Sequence, residues 1–236
     1  RPFAWKPKQV RDLIDSLYTG YPTGYSIISQ SPNMKLKDGT LSEGKKIMID
    51  GQQRVTALMT SIIGLEVINS DFERKRIKIS FNPLAIDEDE VFKVQDNAIL
   101  KDKKWIKDIA EVFKTDFKRG SFVSQYCDSN TEMDSNRLHD ILDNLIAIKS
   151  RQIGVITLDK ELTIDEVTEI CIRINSNGAK LNQFDFAMSK IAVNETYGGN
   201  MLRKAIDYFC HMSIAPEFIN KIKEKAYYLY NNRDKQ

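Results

Sequence analysis

The stretch KKIMIDGQQRVTALMTSI, residues 45–62, sets an acid, a glycine, two amides and an arginine between a short β-branched run and an apolar run with helical spacing. A turn from strand into helix is a place where such residues can do chemistry, because the first turn of a helix carries unpaired backbone N–H groups and a partial positive charge. An anion is the natural guest, phosphate above all. Gly51 lets the backbone come close to a ligand, Arg54 offers a two-point grip on phosphate oxygens, and Gln52 and Gln53 donate to phosphate or hold a water. Asp50 repels an anion. Its presence makes sense if it holds the Mg²⁺ that accompanies a nucleoside triphosphate, orients the attacking water, or locks Arg54. The same residues also fit a plainer arrangement, in which Asp50 caps the helix and Arg54 forms a surface ion pair. The pattern is not a Walker A loop, since G-x-x-x-x-G-K-[ST] occurs nowhere in the chain.

Other residues invite the same question. Arg173 and Asn175 fall at the end of one expected helix and Asp185 in the first turn of the next, so the loop they flank would reach back towards the phosphate turn or simply cap two helices. Phe3 and Trp5, beside an amphipathic helix, read as core. The basic runs RKR at 74–76 and KDKKWIK at 101–107 are short and diluted with acids, which is the pattern of a solvated face. DEDE at 87–90 reads as surface loop. His139 and His211 are too far apart in sequence for a compact metal-nuclease finger, and none of Cys127, Cys171 and Cys210 lies in the phosphate turn, where the chain has Gln52 and Gln53.

The elements that must position the turn follow from periodicity. After Trp5, the segment 7–20 places Val10, Leu13, Ile14 and Leu17 at helical spacing, with Pro7 at the start and Gly20 at the end. YSIIS (25–29) and KIMID (46–50) predict two paired strands, and residues 52–63 predict a helix stopped by Gly64. Further strands are expected at 76–81, 91–94 and 152–158. Leu138, Ile141, Leu142, Leu145 and Ile148 form one apolar stripe of a helix within 133–150. Thr163 and Glu166 form a capping-box pattern opening a helix that runs through Ile174 and ends at Asn177-Gly178; Asn182 and Asp185 start another to about Val193. The C-terminal third reads as mostly helical.

Composition bounds the rest. A chain of 236 residues with 42% apolar side chains can bury a core, and 35 basic against 33 acidic residues leave a net charge of +2, too little to announce a nucleic-acid or membrane-surface protein. Three scattered cysteines fit a reducing cytoplasm, and no apolar run is long enough to span a bilayer. The first residue is not Met and the chain opens in mid-motif, which is expected of a piece of a longer protein.

The order of the motifs adds a resemblance. RPFAW, then K-x-x-x-V-x-x-L-I-D-S-L-Y-T-G-Y-P-T-G, then IDGQQRVTAL, and finally RINSNGAKLNQFDFAMSK resemble the N-terminal domain of the GmrS/GmrD restriction endonuclease family, which is related to the ParB/sulfiredoxin-like fold. DGQQR is the specific part, and the resemblance covers residues 1–62 and 171–190. It implies an α+β fold with a ParB/sulfiredoxin-like small sheet flanked by helices and a helical C-terminal lobe, divided as 1–160 and 161–236, with the site between them. It implies nucleoside triphosphate binding and hydrolysis that regulates restriction of foreign or modified DNA in antiphage defence, with cutting left to an HNH-type nuclease domain. Asp50, Gly51, Gln52, Gln53 and Arg54 match the nucleotide motif, Arg1 matches an arginine of a leading motif, and Arg173, Asn175, Gly178 and Asp185 match the second motif. Cys171 stands where an aromatic is common and Phe186 where Leu is common. On this reading Asp50 and Gln53 are catalytic, Asp50 holds Mg²⁺, and Arg1, Gly51, Gln52, Gln53, Arg54, Arg173, Asn175 and Asp185 bind nucleotide. Expected partners are the nucleoside triphosphate, DNA, the nuclease domain and a second copy in a homo-oligomer. The alternative from another class is a non-hydrolysing module that senses nucleotide or DNA.

Overall fold

Pro7 opens the first helix for a physical reason: its fixed φ suits the first helical position, and the N–H it lacks would have had no partner there. Helix α1 (Pro7–Thr19) buries Val10, Leu13, Ile14 and Leu17 and ends at Gly20 in the left-handed region, with φ 83°. Gln9 Oε1 reaches back to accept from Lys6 N–H at 2.9 Å, closing the N-terminal turn. The structure, a computed structural model, describes residues 3–29, 46–69, 73–85, 90–163 and 198–214, together with 166, 167, 169, 170, 173, 187, 188 and 191.

The chain is mixed helix and small sheets, an α+β protein. Strands β1 (Tyr25–Ser29) and β2 (Ile47–Asp50) are neighbours, as expected, and β1 lies at the centre of a three-stranded sheet whose other edge is β7 (Gly154–Leu158). Helix α2 (Gln52–Leu58) follows β2 after the single residue Gly51 and continues as a π-helical turn, Met59–Ile63, that stops at Gly64 with φ 80°. The helical run is the one periodicity predicts, but its last turn is wider. Within that turn the Ser61 hydroxyl donates to Ala57 O at 2.7 Å, and Thr60 Oγ1 accepts from Ile77 N–H at 2.9 Å.

The expected strand at 76–81 is shorter than its alternation suggests. Strand β5 (Ile79–Phe81) pairs antiparallel with β6 (Phe92–Val94), with Phe81 opposite Phe92. Residues before it are taken by other partners: Ile77 N–H by Thr60, and the Arg76 guanidinium by the buried Asp108 at 2.6 Å. Strands β3 (Val67–Ile68) and β4 (Arg74–Lys75) form a small hairpin. Helix α3 (Asn97–Lys101) is capped by Asp96, α4 (Arg119–Ser129) follows, and α5 (Ser135–Ile146) is capped by Asp134 and runs into a 3₁₀ turn, Ala147–Ser150.

The backbone divides into two units, one of residues 1–28 and 48–157 and one of 29–47 and 158–236. The first holds a continuous apolar core in which α1 and α5 pack with β5 and β6. Tyr18, Phe81 and Phe92 form its aromatic centre, with ring centroids 4.9 to 5.6 Å apart in tilted or edge-on pairs that suit the aromatic quadrupole. Phe3 is buried and Trp5 packs against this core, as their placement beside α1 predicts. In the second unit, Thr163 and Glu166 make the expected capping box, and a helix spans Gly199–Ile214. Among the described residues, no helix is long and apolar enough to cross a membrane.

Candidate functional site

Gly51 is the corner between β2 and α2. Its φ of 97° lies in the left-handed region that side chains with a Cβ enter at a cost, and a Cβ built on it would stand 2.5 Å from Ser26 Oγ. Both facts require glycine. Strand β1 therefore lies directly over the corner, and Gly51 is buried beneath it, so the close approach its lack of a side chain allows is that of Ser26. The Gly51 carbonyl accepts from Val55 N–H at 3.0 Å, which starts the helix. Asp50 does not cap it: the N-cap is Gly51, and no side chain caps this terminus.

Asp50 instead engages Arg54, with Nη2 donating to Oδ2 at 3.0 Å. The guanidinium also donates from Nη1 to Thr23 O at 2.9 Å and from Nη2 to Tyr25 O at 2.6 Å. The Arg54 side chain is 17% exposed, so it fastens the approach to β1 onto the end of β2. Gly24, with φ 82°, is part of this fit, because a Cβ on it would fall 2.9 Å from Arg54 Nη1. Of the arrangements that chemistry allows, the Asp50–Arg54 lock is the one seen.

The two amides are engaged as well. Gln52 Nε2 donates to Met48 O at 2.9 Å, bracing β2 from the helix. Gln53 Oε1 accepts from Ala4 N–H at 2.9 Å, holding the segment before α1 beside the turn. The sequence does not disclose that tether, because its ends are 49 residues apart. Ser26, Thr23 and Tyr25 were not singled out by residue type either. The signal was present in the Pro22-Thr23-Gly24 corner immediately before a strand paired with KIMID.

The remaining candidates belong to other parts of the sequence or lie outside the described residues. Arg173 lies in the second unit, exposed, with Nε 2.9 Å from Glu169 Oε1. Arg1, Asn175, Gly178 and Asp185 lie outside the described residues, as do Cys171, Phe186 and most of the DEDE run. Arg74 and Lys75 are exposed on β4, whereas Lys107 is drawn inward: its ammonium donates to Ile99 O at 2.6 Å, and desolvation holds its pKa below the usual lysine value. Cys127 is half-buried and its thiol is pushed up by burial and by nearby Asp134 and Asp128, the opposite of an activated nucleophile.

Asp50 also bears on metal binding. Its side chain is 30% exposed, with Oδ2 on Arg54. Among the described residues, no three histidines, cysteines or carboxylates gather to cage an ion. A single carboxylate can serve Mg²⁺, which takes most of its ligands from water and substrate phosphates.

Two comparisons bear on this geometry. The family model described as GmrSD restriction endonuclease, N-terminal domain, matches residues 1–192, a span that includes every residue of the turn. No curated protein matches the chain.

Proposed function

From the premise that the chain belongs to the GmrSD restriction endonuclease N-terminal domain family, and so to a restriction system, we propose that it binds and hydrolyses a nucleoside triphosphate at the Gly51 turn. One observation carries the reading: Asp50, Gly51 and Arg54 meet at a strand-to-helix corner whose glycine has left-handed φ and no room for a side chain. The triphosphate would lie beside the turn, against the first amides of α2. Mg²⁺, when bound, supplies charge neutralisation for the phosphates. Asp50 would help hold it, and Gln53 would orient the attacking water. Arg54 would turn a donor towards the phosphates while keeping the β1 corner in place. Arg1 and Gln52 would also contact the nucleotide, on a ParB/sulfiredoxin-like frame, and Arg173, Asn175 and Asp185 are the nucleotide-binding candidates of the second motif. Hydrolysis would be slow and would set the state of an HNH-type nuclease domain acting on foreign or modified DNA in antiphage defence.

The rival reading is a non-hydrolysing module that senses nucleotide or DNA, and the Asp50–Arg54 ion pair favours it, since each group already has the other as its partner. Phosphate release separates the two. With Mg²⁺ and each nucleoside triphosphate, the purified chain should release phosphate, and Asp50→Asn should still bind while turning over more slowly. Binding without release in the wild type establishes the rival. Hydrolysis by Asp50→Asn at the wild-type rate removes Asp50 from the catalytic set.

A further inference from the structure

Strand β7 (Gly154–Leu158) lies at an edge of the three-stranded sheet, and among the described residues no strand covers its outer side. Every residue but Leu158 is exposed, with Val155 at 55% and Ile156 at 44%. The strand carries none of the devices that keep a free edge from pairing: its sequence GVITL holds no charge and no proline, and its consecutive β-branched residues favour the extended form. The opposite edge, β2, is treated differently. There Gln52 Nε2 occupies Met48 O at 2.9 Å, and the strand ends on the charged Asp50, tied to Arg54. One edge of the sheet is blunted, while the other presents unpaired backbone donors and acceptors that a further strand would satisfy.

We propose that β7 is the pairing edge of a homodimer, in which two copies join antiparallel across a two-fold axis at Ile156 to form one continuous sheet. Three features select a second copy as the partner. A short strand overlaps itself fully only when centred on its middle residue, and that register sets Val155 opposite the partner's Thr157 and Gly154 opposite the partner's Leu158. The latter pair is complementary in size. The Tyr25 ring, 64% exposed, lies over Gly154, where an added Cβ would stand 2.5 Å from Tyr25 Cδ1, so the partner's Leu158 meets an aromatic neighbour where β7 has no side chain. Charge favours the same direction: Lys149 and Arg151 precede the strand, whereas Asp159 and Glu161, diluted by Lys160, follow it, and antiparallel pairing brings each basic end to the partner's acidic end. The assembly closes at two copies, because the edges left outside are the blunted β2 strands.

Sedimentation equilibrium of the full chain from about 10 µM to about 1 mM tests the proposal, since a single strand pair makes a small, weakly associating interface. The wild type should form dimers within that range and nothing larger; a chain that stays monomeric, or that grows beyond dimers, overturns the proposal. Ile156→Lys sets two like charges face to face across the axis and should weaken association about tenfold, with the unfolding of the monomer unchanged. Association equal to that of the wild type overturns the proposal as well. Two double variants test the register, and they decide the matter even where the single variant disturbs folding. Val155→Glu with Thr157→Lys places opposite charges across the axis, whereas Val155→Lys with Thr157→Lys places like charges there, so the first should associate about tenfold more tightly than the second. Equal association of the two removes the Ile156 axis and the proposal with it.

Discussion

At Gly51 two separate penalties would meet in a single methyl group. Gly51→Ala would place a Cβ at positive φ, costing ~1–2 kcal/mol, and would also drive it into Ser26 Oγ at 2.5 Å. The double variant Gly51→Ala with Ser26→Gly relieves the overlap and leaves the backbone penalty, so denaturant unfolding should show it recovering part of the loss, not all. Equal stability of Gly51→Ala and wild type would mean the corner is not built this way. Arg54 calls for a paired reading of binding and stability. Arg54→Ala removes the donor from two backbone carbonyls and from Asp50, which should cost ~1–3 kcal/mol in unfolding as well as most of the triphosphate affinity. Arg54→Lys, a point charge in place of a planar fork, should keep part of each. Affinity unchanged in a folded Arg54→Ala would take the phosphate site away from this turn. The motif itself was plain in the sequence. Its internal wiring was not, because Thr23, Tyr25 and Ala4 reach it through backbone groups that carry no trace of residue type.

Between elements, the tie from α4 to α5 makes a pH dependence. Arg119 Nη1 meets Asp143 Oδ1 at 2.7 Å and its other nitrogen donates to His139 O; the hydrogen bond from Arg119 holds the Asp143 carboxyl below its ordinary pKa. A carboxylate lowered by folding adds stability that is present above its unfolded pKa, ~4, and fades as pH falls through the depressed folded value. Asp143→Asn should therefore lower stability slightly at neutral pH, match the wild type at the acid end and so flatten the acid limb, the whole difference being small because Asp143 is largely exposed. Denaturant melts across pH 2–7 read this directly; identical acid limbs would show the tie contributes nothing. Elements with strong periodicity were legible, such as α1 and α5 with their single apolar stripes. Helix α4 was not, since it buries only Val123 and Tyr126 and its sequence lacks an apolar face. The strand at 76–81 was overread because Thr60 takes the amide that alternation assigns to a ladder. Nor does residue type foretell the π-helical turn at 59–63, within which Thr60 and Ser61 are buried with side-chain bonds of their own.

For the molecule as a whole, membership of a restriction family raises the question of which part cuts DNA. Our expectation is that this chain alone does not, with Mg²⁺, Mn²⁺ or Zn²⁺ supplied. His139 belongs to α5 in the first unit and His211 to the helix Gly199–Ile214 in the second, separated by some seventy residues of sequence, whereas a two-histidine metal nuclease needs both within one compact finger. The Gly51 turn offers amides and an arginine in place of a nucleophile, and Asp50 is paired with that arginine. Binding to DNA is a separate matter. A net charge of +2 leaves weak nonspecific affinity, and what exists should fall steeply with salt, because phosphate contacts act by releasing counterions. A plasmid-nicking assay on the purified chain should give intact supercoiled DNA with each metal. Nicking that persists through further purification and disappears in Asp50→Asn would place the cutting chemistry at the very turn assigned to nucleotide, and the proposed division of labour between a nucleotide-reading domain and a separate nuclease would be wrong.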